Sequence, residues 1–472
     1  MKDVKGFVSF VGAGPGDLGL ITEKGSSCLR DADVVLFDRL ANPRLLRVTK
    51  ENCQLIYCGK LPDRHVMRQE KINETIIELA LMGKRVVRLK GGDPAVFGRV
   101  GEEAEALQKQ GIDYDIVPGV TSSIAAASYA GIPVTHRDHS ASITLRTGHS
   151  SQKNSVENHN RYEHGDTIAY YMGVKNLGHH CQELLENGFS PETQVAVIEW
   201  ATTGKQRTVE GTLPTIASKV AINRIENPAM TIIGDVVGLR KKLKWFEKKK
   251  MFGKRVLIAK ASSGESKLER YFLDQGAVTY AYPTLKQRNK LISSEWLKRL
   301  QSVEKMVFFS PESVHILFEA FFSEGYDIRE LPRSIFCLSE KTKRVLKKAG
   351  IRSEKITEPT VDMIRIGYGK NKEPIVKDAN LLVTHTLDFD PRFTEIDQRL
   401  LEEELWETVI FPSKSSVDWF LDALILHGVK LKKEIGFAYI GESVKEYAKS
   451  KGFQHTNEEI QQELEAGKWK SS

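Results

Sequence analysis

A glycine-rich segment, Val11-Gly-Ala-Gly-Pro-Gly-Asp17, directly follows the apolar run at 7–11, and Asp38 closes a second apolar run, Val34-Val-Leu-Phe. Glycines between a strand and a helix can cradle a phosphate, and an acid some twenty residues on can hold a ribose. The spacing here departs from that dinucleotide pattern. Its third glycine position is occupied by Asp17, and Pro15 has no backbone N–H to offer a pyrophosphate. The segment is either a loop for another ligand or a tight structural turn. A second such loop is Leu89-Lys-Gly-Gly-Asp-Pro-Ala-Val-Phe-Gly-Arg99. Its paired glycines allow close backbone approach, and Asp93 can accept from hydroxyls or amines, or else cap the next helix. A third cluster, Val117-Pro-Gly-Val-Thr-Ser-Ser-Ile-Ala-Ala-Ala127, places hydroxyls at the head of a helix of small residues. Thr121 there serves a ligand or a cap. The loop Ala130-Gly-Ile-Pro-Val-Thr-His-Arg-Asp138 adds an imidazole and a guanidinium suited to an anion.

The elements that position these loops alternate. Short apolar runs at 7–11, 34–37, 86–89, 116–117, 167–172, 195–198 and 231–233 are separated by longer amphipathic stretches. That alternation predicts an α/β architecture with a largely parallel sheet. Gly83, Gly111 and Gly188 fit helix C-termini. A basic stretch from Arg240 to Lys250 reads as a linker, which gives a first domain at 1–247 and a second at 254–472. Within the first, a boundary near Pro118-Gly119 separates lobes of about 1–117 and 118–247.

Beyond the linker an approximate repeat is visible. Residues 256–260, 306–314 and 335–350 are echoed by 381–384, 408–417 and 437–452, which implies two similar α/β lobes. The copies are unequal: 52 positions separate Val256 from Phe308, whereas 29 separate Leu382 from Phe411, so the second lobe is expected to lack about one helix and strand.

With 472 residues, the chain has room for about three domains. Its 40% hydrophobic and 28% charged residues suit a folded soluble protein, and a net charge of +7 suits an anionic partner without implying nucleic-acid binding. Five scattered cysteines lack any C-x-x-C, which disfavours a zinc site or a disulfide framework and points to a reducing cytoplasm. Neither a secretory leader nor a membrane span is expected.

Taken together, residues 12–17, Asp38-Arg-Leu40, the 89–103 loop, 118–122, 131–138, Thr147-Gly-His149, Tyr171-Met-Gly-Val174, Glu199-Trp-Ala-Thr202, Gln206-Arg-Thr208, Asn227-Pro-Ala229 and Gly234-Asp-Val-Val237 resemble the uroporphyrinogen-III C-methyltransferases across nearly all of 5–247. The resemblance implies the two-lobed tetrapyrrole methylase fold. It also implies transfer of two methyl groups from S-adenosylmethionine (SAM) to ring carbons of uroporphyrinogen III, giving precorrin-2 and S-adenosylhomocysteine, without a metal. Carried over by motif, the SAM contacts are Pro15, Gly91, Gly92, Asp93, Val96, Thr121, Ser122, Met172 and Ala201. Asp38 takes the place of the proton acceptor and Lys60 that of the proton donor. The carboxylates of the substrate call for cations, for which Arg39, Arg64, His65, Arg99, His136 and Arg137 are the candidates. Ala95 and Arg146 depart from the family's usual residues without removing a catalytic group.

Residues 254–472 resemble uroporphyrinogen-III synthase, whose fold is two α/β lobes on a two-strand hinge, the first strand's lobe being completed by the chain's end. The likeness rests on Phe308-Phe-Ser-Pro-Glu-Ser-Val, Phe411-Pro-Ser-Lys-Ser-Ser-Val and Tyr439-Ile-Gly-Glu-Ser-Val-Lys. A working synthase would take hydroxymethylbilane, whereas a degenerate one would stabilise, dimerise or channel. The loop Leu338-Ser-Glu-Lys-Thr-Lys lacks the family's glycine. A homodimer is the expected assembly. Alternatives are the same methylase with a non-catalytic second half, a related methylase acting on a later corrin precursor or on RNA, and a non-catalytic tetrapyrrole-binding protein.

Overall fold

A computed structural model describes residues 5–59, 68–148, 166–370 and 379–470. The chain divides into two units, residues 1–256 with 270–279, and residues 257–269 with 280–472.

In the first unit all four residues of Val34–Phe37 are buried, as expected of a strand covered on both faces. It is β2 of a sheet formed with β1 (Phe7–Gly12), β3 (Gln54–Tyr57), β4 (Arg85–Lys90) and β5 (Asp113–Val117). The order is β3-β2-β4-β1-β5, every neighbouring pair parallel. Crossovers between parallel strands are usually helical, here α1 (Glu23–Asp31), α2 (Gln69–Leu81) and α3 (Val100–Lys109), with the short 3-10 helix Pro43–Val48 between β2 and β3. Thr22 starts α1 by accepting the Gly25 N–H at 3.1 Å. Ile72, Ile76 and Ala80, four residues apart, form the buried stripe of α2 against Val8, Phe10, Leu36 and Val86.

The strand order sets the site. From β1 the chain crosses over β4 to reach β2, and from β4 it crosses over β1 to reach β5. The loops leaving β1 and β4 therefore set out in opposite directions, and the carboxyl edge of the strands at such a reversal is where doubly wound sheets take ligands.

The second lobe contains α4 (Ser122–Tyr129), β6 (Ile143–Thr147), β7 (Thr167–Tyr171), α5 (Leu177–Glu186), β8 (Gln194–Glu199), β9 (Arg207–Thr212), α6 (Ile216–Ile222) and β10 (Ala229–Ile233). Its sheet order is β6-β7-β10-β8-β9. Here the expected parallel pattern is corrected: only β6 and β7 run parallel, and the other pairs are antiparallel. The connection from β8 to β9, residues 200–206, is too short for a crossover and closes a hairpin instead. Ala126 and Ala127 of α4 are fully buried against Ala169, Ile198 and Ile232. Their lack of bulk lets the helix lie close on the sheet.

The remaining strands are β11 (Arg255–Ala259), β12 (Val278–Tyr282), β13 (Leu285–Asn289), β14 (Lys305–Phe308), β15 (Ser334–Cys337), β16 (Glu354–Lys355), β17 (Ile364–Lys370), β18 (Leu381–Phe389), β19 (Thr408–Phe411) and β20 (Gly436–Tyr439). They form two sheets, β12-β11-β19-β20 and β13-β18-β17-β14-β15-β16. The repeat is visible in the helices that follow β14 and β19. Ser310 accepts the Ser313 N–H at 3.1 Å, and Ser413 accepts the Ser416 N–H at 3.2 Å. The opening strands are exchanged, however: β11 joins β19 and β20, while β18 joins β14 and β15. The lobe completed at the chain's end takes β11 and β12 from the long first interval, and with four strands against six its sheet is still the smaller of the two. No helix among the described residues is long and apolar enough to cross a membrane.

Candidate active site

Three loops at the carboxyl edge of the parallel sheet are fastened to one another. Gly14 N–H donates to Gly92 O (3.2 Å) and Gly92 N–H to Gly14 O (2.8 Å), so the turns after β1 and β4 pair like a short piece of sheet. A Cβ on Gly119, after β5, would lie 2.3 Å from Gly92 O and 2.9 Å from Gly12 Cα. The backbones thus meet where no side chain fits. Asp93 completes the fastening. Its Oδ1 accepts the Ala95 N–H (2.7 Å) and its Oδ2 the Gly119 N–H (3.0 Å), so it binds loops together rather than capping α3. Pro15 lies half-buried between Gly14 and Gly16, both at positive φ (70° and 144°), and Gly91 packs on Leu40.

The second lobe adds the other wall. The Tyr171 hydroxyl is 2.5 Å from Thr121 Oγ1 and donates to Ser123 Oγ at 2.8 Å, which fixes the hydroxyls at the head of α4. Ser122 Oγ lies 3.3 Å from where a Cβ on Gly92 would be. Val96 and Ala201 pack against the buried cluster that contains Tyr171, and Met172, 40% exposed, follows it at φ 55°. Among the described residues six non-glycines have positive φ, and five of them, Phe97, Arg99, Met172, Trp200 and Thr202, lie on the loops after β4, β7 and β8. Backbone strain of this sort gathers at functional sites. The lobes are joined across this edge by Asp17, whose N–H donates to Thr202 Oγ1 (3.1 Å) and whose Oδ2 accepts from the Tyr129 hydroxyl (2.7 Å). Burial, and after it that hydrogen bond, keep the Tyr129 phenol protonated well above its ordinary range.

Asp38 stands at the end of β2. Its Oδ1 accepts the N–H groups of Leu40 (3.0 Å) and Ala41 (3.3 Å), and its Oδ2 lies 3.7 Å from Arg88 Nη2. Arg88 belongs to a buried charged group the sequence reading did not single out. Lys90 donates to both oxygens of Glu103 (2.9 and 2.8 Å), and Gln69 Nε2 donates to the same carboxylate at 2.8 Å. Burial first, and the like charge of Arg88 second, pull the Lys90 ammonium below the usual lysine range. Burial pushes the neighbouring Cys58 thiol up. The signal was present as Arg88 and Lys90 alternating with apolar residues in Val86-Val-Arg-Leu-Lys90, where a buried charge demands a reason.

The candidate cations are dispersed. Arg39 is exposed, its guanidinium 6.0 Å from the centre of the Trp200 ring. Arg99 is committed to Glu102 by two hydrogen bonds (3.0 and 2.6 Å). His136 is held within its own turn: its Nδ1 accepts the Asp138 N–H (3.1 Å), and Arg137 is exposed beside it. Lys60, Arg64, His65 and His149 lie outside the described residues.

The class this arrangement defines is that of the tetrapyrrole methylases: residues 8–217 match the family model "Tetrapyrrole (Corrin/Porphyrin) Methylases", and residues 266–363 match "Uroporphyrinogen-III synthase HemD". A uroporphyrinogen-III C-methyltransferase of Bacillus subtilis (strain 168) is 42% identical over 422 residues, 88% of this chain and 87% of that one. The porphyrin biosynthesis protein HemD of Ruminiclostridium josui is 32% identical over 452 residues, 89% of each chain. A crystal structure of uroporphyrin-III C-methyl transferase from Thermus thermophilus, complexed with S-adenyl homocysteine, is 35% identical with a TM-score of 0.42, covering 50% of this chain and all of that one. The chain belongs to the uroporphyrinogen-III C-methyltransferase family.

Proposed function

We propose that this chain transfers methyl groups from SAM to two ring carbons of uroporphyrinogen III, yielding precorrin-2 for sirohaem or cobalamin, and that residues 1–247 carry the reaction in the cytoplasm. One observation carries the reading: the Gly14–Gly92 pairing at the carboxyl ends of β1 and β4, with the Thr121–Ser122 hydroxyls beside it, in a chain aligned with such an enzyme over most of its length. The fit to an adenosyl ligand is physical. Gly91 and Gly92 leave the edge without side chains, Gly92 at φ 69°, and Thr121 and Ser122 stand beside Gly92, with Met172 and Ala201 as the further small or flexible contacts assigned by motif.

When bound, SAM supplies a methyl made electrophilic by its sulfonium. The chain's own work is alignment and proton removal. Asp38 is the proton acceptor, and because its Oδ1 is taken by two backbone N–H groups, Oδ2 is the atom that receives the proton. Lys60 is assigned as donor by motif. Arg39, Arg64, His136 and Arg137 are the proposed partners of the substrate's carboxylates.

The test is incubation of the full chain with SAM and uroporphyrinogen III under exclusion of air, followed by mass spectrometry. The expected product carries two added methyl groups, and Asp38→Asn slows its formation. If S-adenosylhomocysteine binds but uroporphyrinogen III takes up no methyl, a later corrin precursor becomes the substrate.

The match of residues 266–363 to a synthase model favours a second activity, cyclisation of hydroxymethylbilane to uroporphyrinogen III by residues 254–472. Supplying hydroxymethylbilane alone and separating the type I and type III isomers tests it. Type I alone leaves the second half non-catalytic. Sedimentation velocity tests the proposed homodimer.

A further inference from the structure

Strand β4 is central in its sheet, and its residue 88 pairs in register with Leu36 on one side and Phe10 on the other. The surroundings call for an apolar residue, yet the position is Arg88, 5% exposed. An isolated buried cation is expensive, and replacing a buried ion pair with apolar groups often stabilises a protein, so stability alone does not account for it.

The geometry shows what the guanidinium reaches. Lys90 lies two residues further along the same strand and so on the same face. It occupies both oxygens of Glu103, whose Oε1 also accepts from Gln69. Arg88 Nε stands 3.6 Å from that oxygen, buried and without a hydrogen-bond partner, while Nη1 donates to Leu89 O at 3.2 Å. Two cations against one carboxylate leave the buried group with a surplus positive charge. Cys58 beside it is a neutral thiol and cannot balance it. Asp38 can: its Oδ2 is 3.7 Å from Arg88 Nη2, and it is the oxygen the backbone N–H groups leave open.

We propose that Arg88 is a positioning residue for methyl transfer, aiming Oδ2 of Asp38 at the reacting ring, with Lys90 and Glu103 as its buried anchor. This rests on Asp38 as the proton acceptor. Arg88 meets the substrate only through Asp38. Its removal therefore slows the chemical step and leaves binding of both substrates in place.

The experiment is a double-mutant cycle in the full chain with Asp38→Asn and Arg88→Met, measuring kcat and KM for uroporphyrinogen III together with calorimetric titration of S-adenosylhomocysteine. Arg88→Met is expected to lower kcat on the order of 10–100-fold, as small misplacements of a catalytic group do, with KM and S-adenosylhomocysteine affinity unchanged. In the Asp38→Asn background the same change is expected to cost nothing further, and Arg88→Lys to recover part of the rate. Should Arg88→Met fail to fold, Arg88→Gln replaces it with the same expectations, since it keeps hydrogen-bonding capacity without the charge. A raised KM, additive losses in the double variant, or an unchanged kcat overturns the proposal. Full activity of Asp38→Asn alone instead removes the proton-acceptor reading beneath it.

Discussion

Tyr171 of the second lobe holds Thr121 by its hydroxyl at 2.5 Å, and the same phenol oxygen reaches Ser123 at 2.8 Å. The ring beneath it packs against Phe97, their centres 4.9 Å apart, so one side chain both fills the lobe and aims the hydroxyls of α4. Tyr171→Phe keeps the packing and removes the aim. A hydrogen bond of this kind is worth about 0.5–1.5 kcal/mol, so calorimetry is expected to show S-adenosylhomocysteine binding roughly twofold to tenfold more weakly. Unaltered affinity would mean that the orientation of Thr121 is irrelevant to the ligand.

The glycines of the site are not interchangeable with glycines elsewhere. Gly119→Ala drives a Cβ to 2.3 Å from Gly92 O, and backbone must move. Gly101, in the first turn of α3, has nothing within 4 Å of a new Cβ. Gly101→Ala is therefore expected to raise stability by about 0.4–1 kcal/mol through the unfolded chain's lost freedom, with ligand binding intact. Gly119→Ala is expected to lose binding. Paired thermal melts and titrations distinguish the two, and equal behaviour would show that the close approach of the loops is not required.

Much of this site was legible because its features are local in sequence. Glycines next to strand ends, hydroxyls at a helix head and the acid closing β2 are read from adjacent residues, and the structure puts their loops on one edge. What was missed depends on distance along the chain. Tyr171 lies 50 positions from Thr121, and nothing near either residue announces the pair. Arg88 and Lys90 were readable as charges set among Val86, Val87 and Leu89, but their partner Glu103 lies on α3 and the direction of Arg88 toward Asp38 needs the parallel register of β2 and β4. The mixed second sheet was misread because alternation shows that strands and helices follow one another without fixing strand direction. The place of β11 beside β19 follows the synthase likeness, which implies that the first strand's lobe is completed at the chain's end; the counterpart, β18 in the other sheet, was not drawn from the repeat, because similar sequences occupy similar places only if the chain visits each lobe once.

Cysteine reactivity offers an independent check on the buried edge of the sheet. Cys53, Cys58, Cys181 and Cys337 are buried, whereas Cys28 is partly accessible. Burial raises the thiols of Cys58, of Cys337 and of Cys181, the last to about 11, which lowers their thiolate fraction as well as their access. A thiol reagent at neutral pH is expected to modify Cys28 first in the native chain and the remaining cysteines only after denaturant. Rapid labelling of Cys58 without denaturant would contradict the packing described beside Arg88.

Acid stability should report on a second buried ion group, in which Arg240, 4% exposed, donates to Glu247 Oε2 (2.6 Å), to Glu210 (2.7 Å) and to the Ala130 carbonyl. Burial by itself would raise the Glu247 carboxyl, but hydrogen bonds from Arg240, Gln206 and Thr208 together outweigh it and hold the group below its ordinary 4.5. A carboxylate lowered by folding adds stability that is complete above its unfolded value and is lost as the pH falls through the folded one. The wild-type chain is accordingly expected to exceed Glu247→Gln by about 1.5–3 kcal/mol at pH 7, the range for hydrogen bonds to a charged group. Denaturant melts repeated at descending pH should show this advantage intact down to the ordinary glutamate range and closing below it, because a protonated Glu247 and a glutamine then present Arg240 with the same neutral partner. An advantage independent of pH would mean that the contribution is packing and not charge.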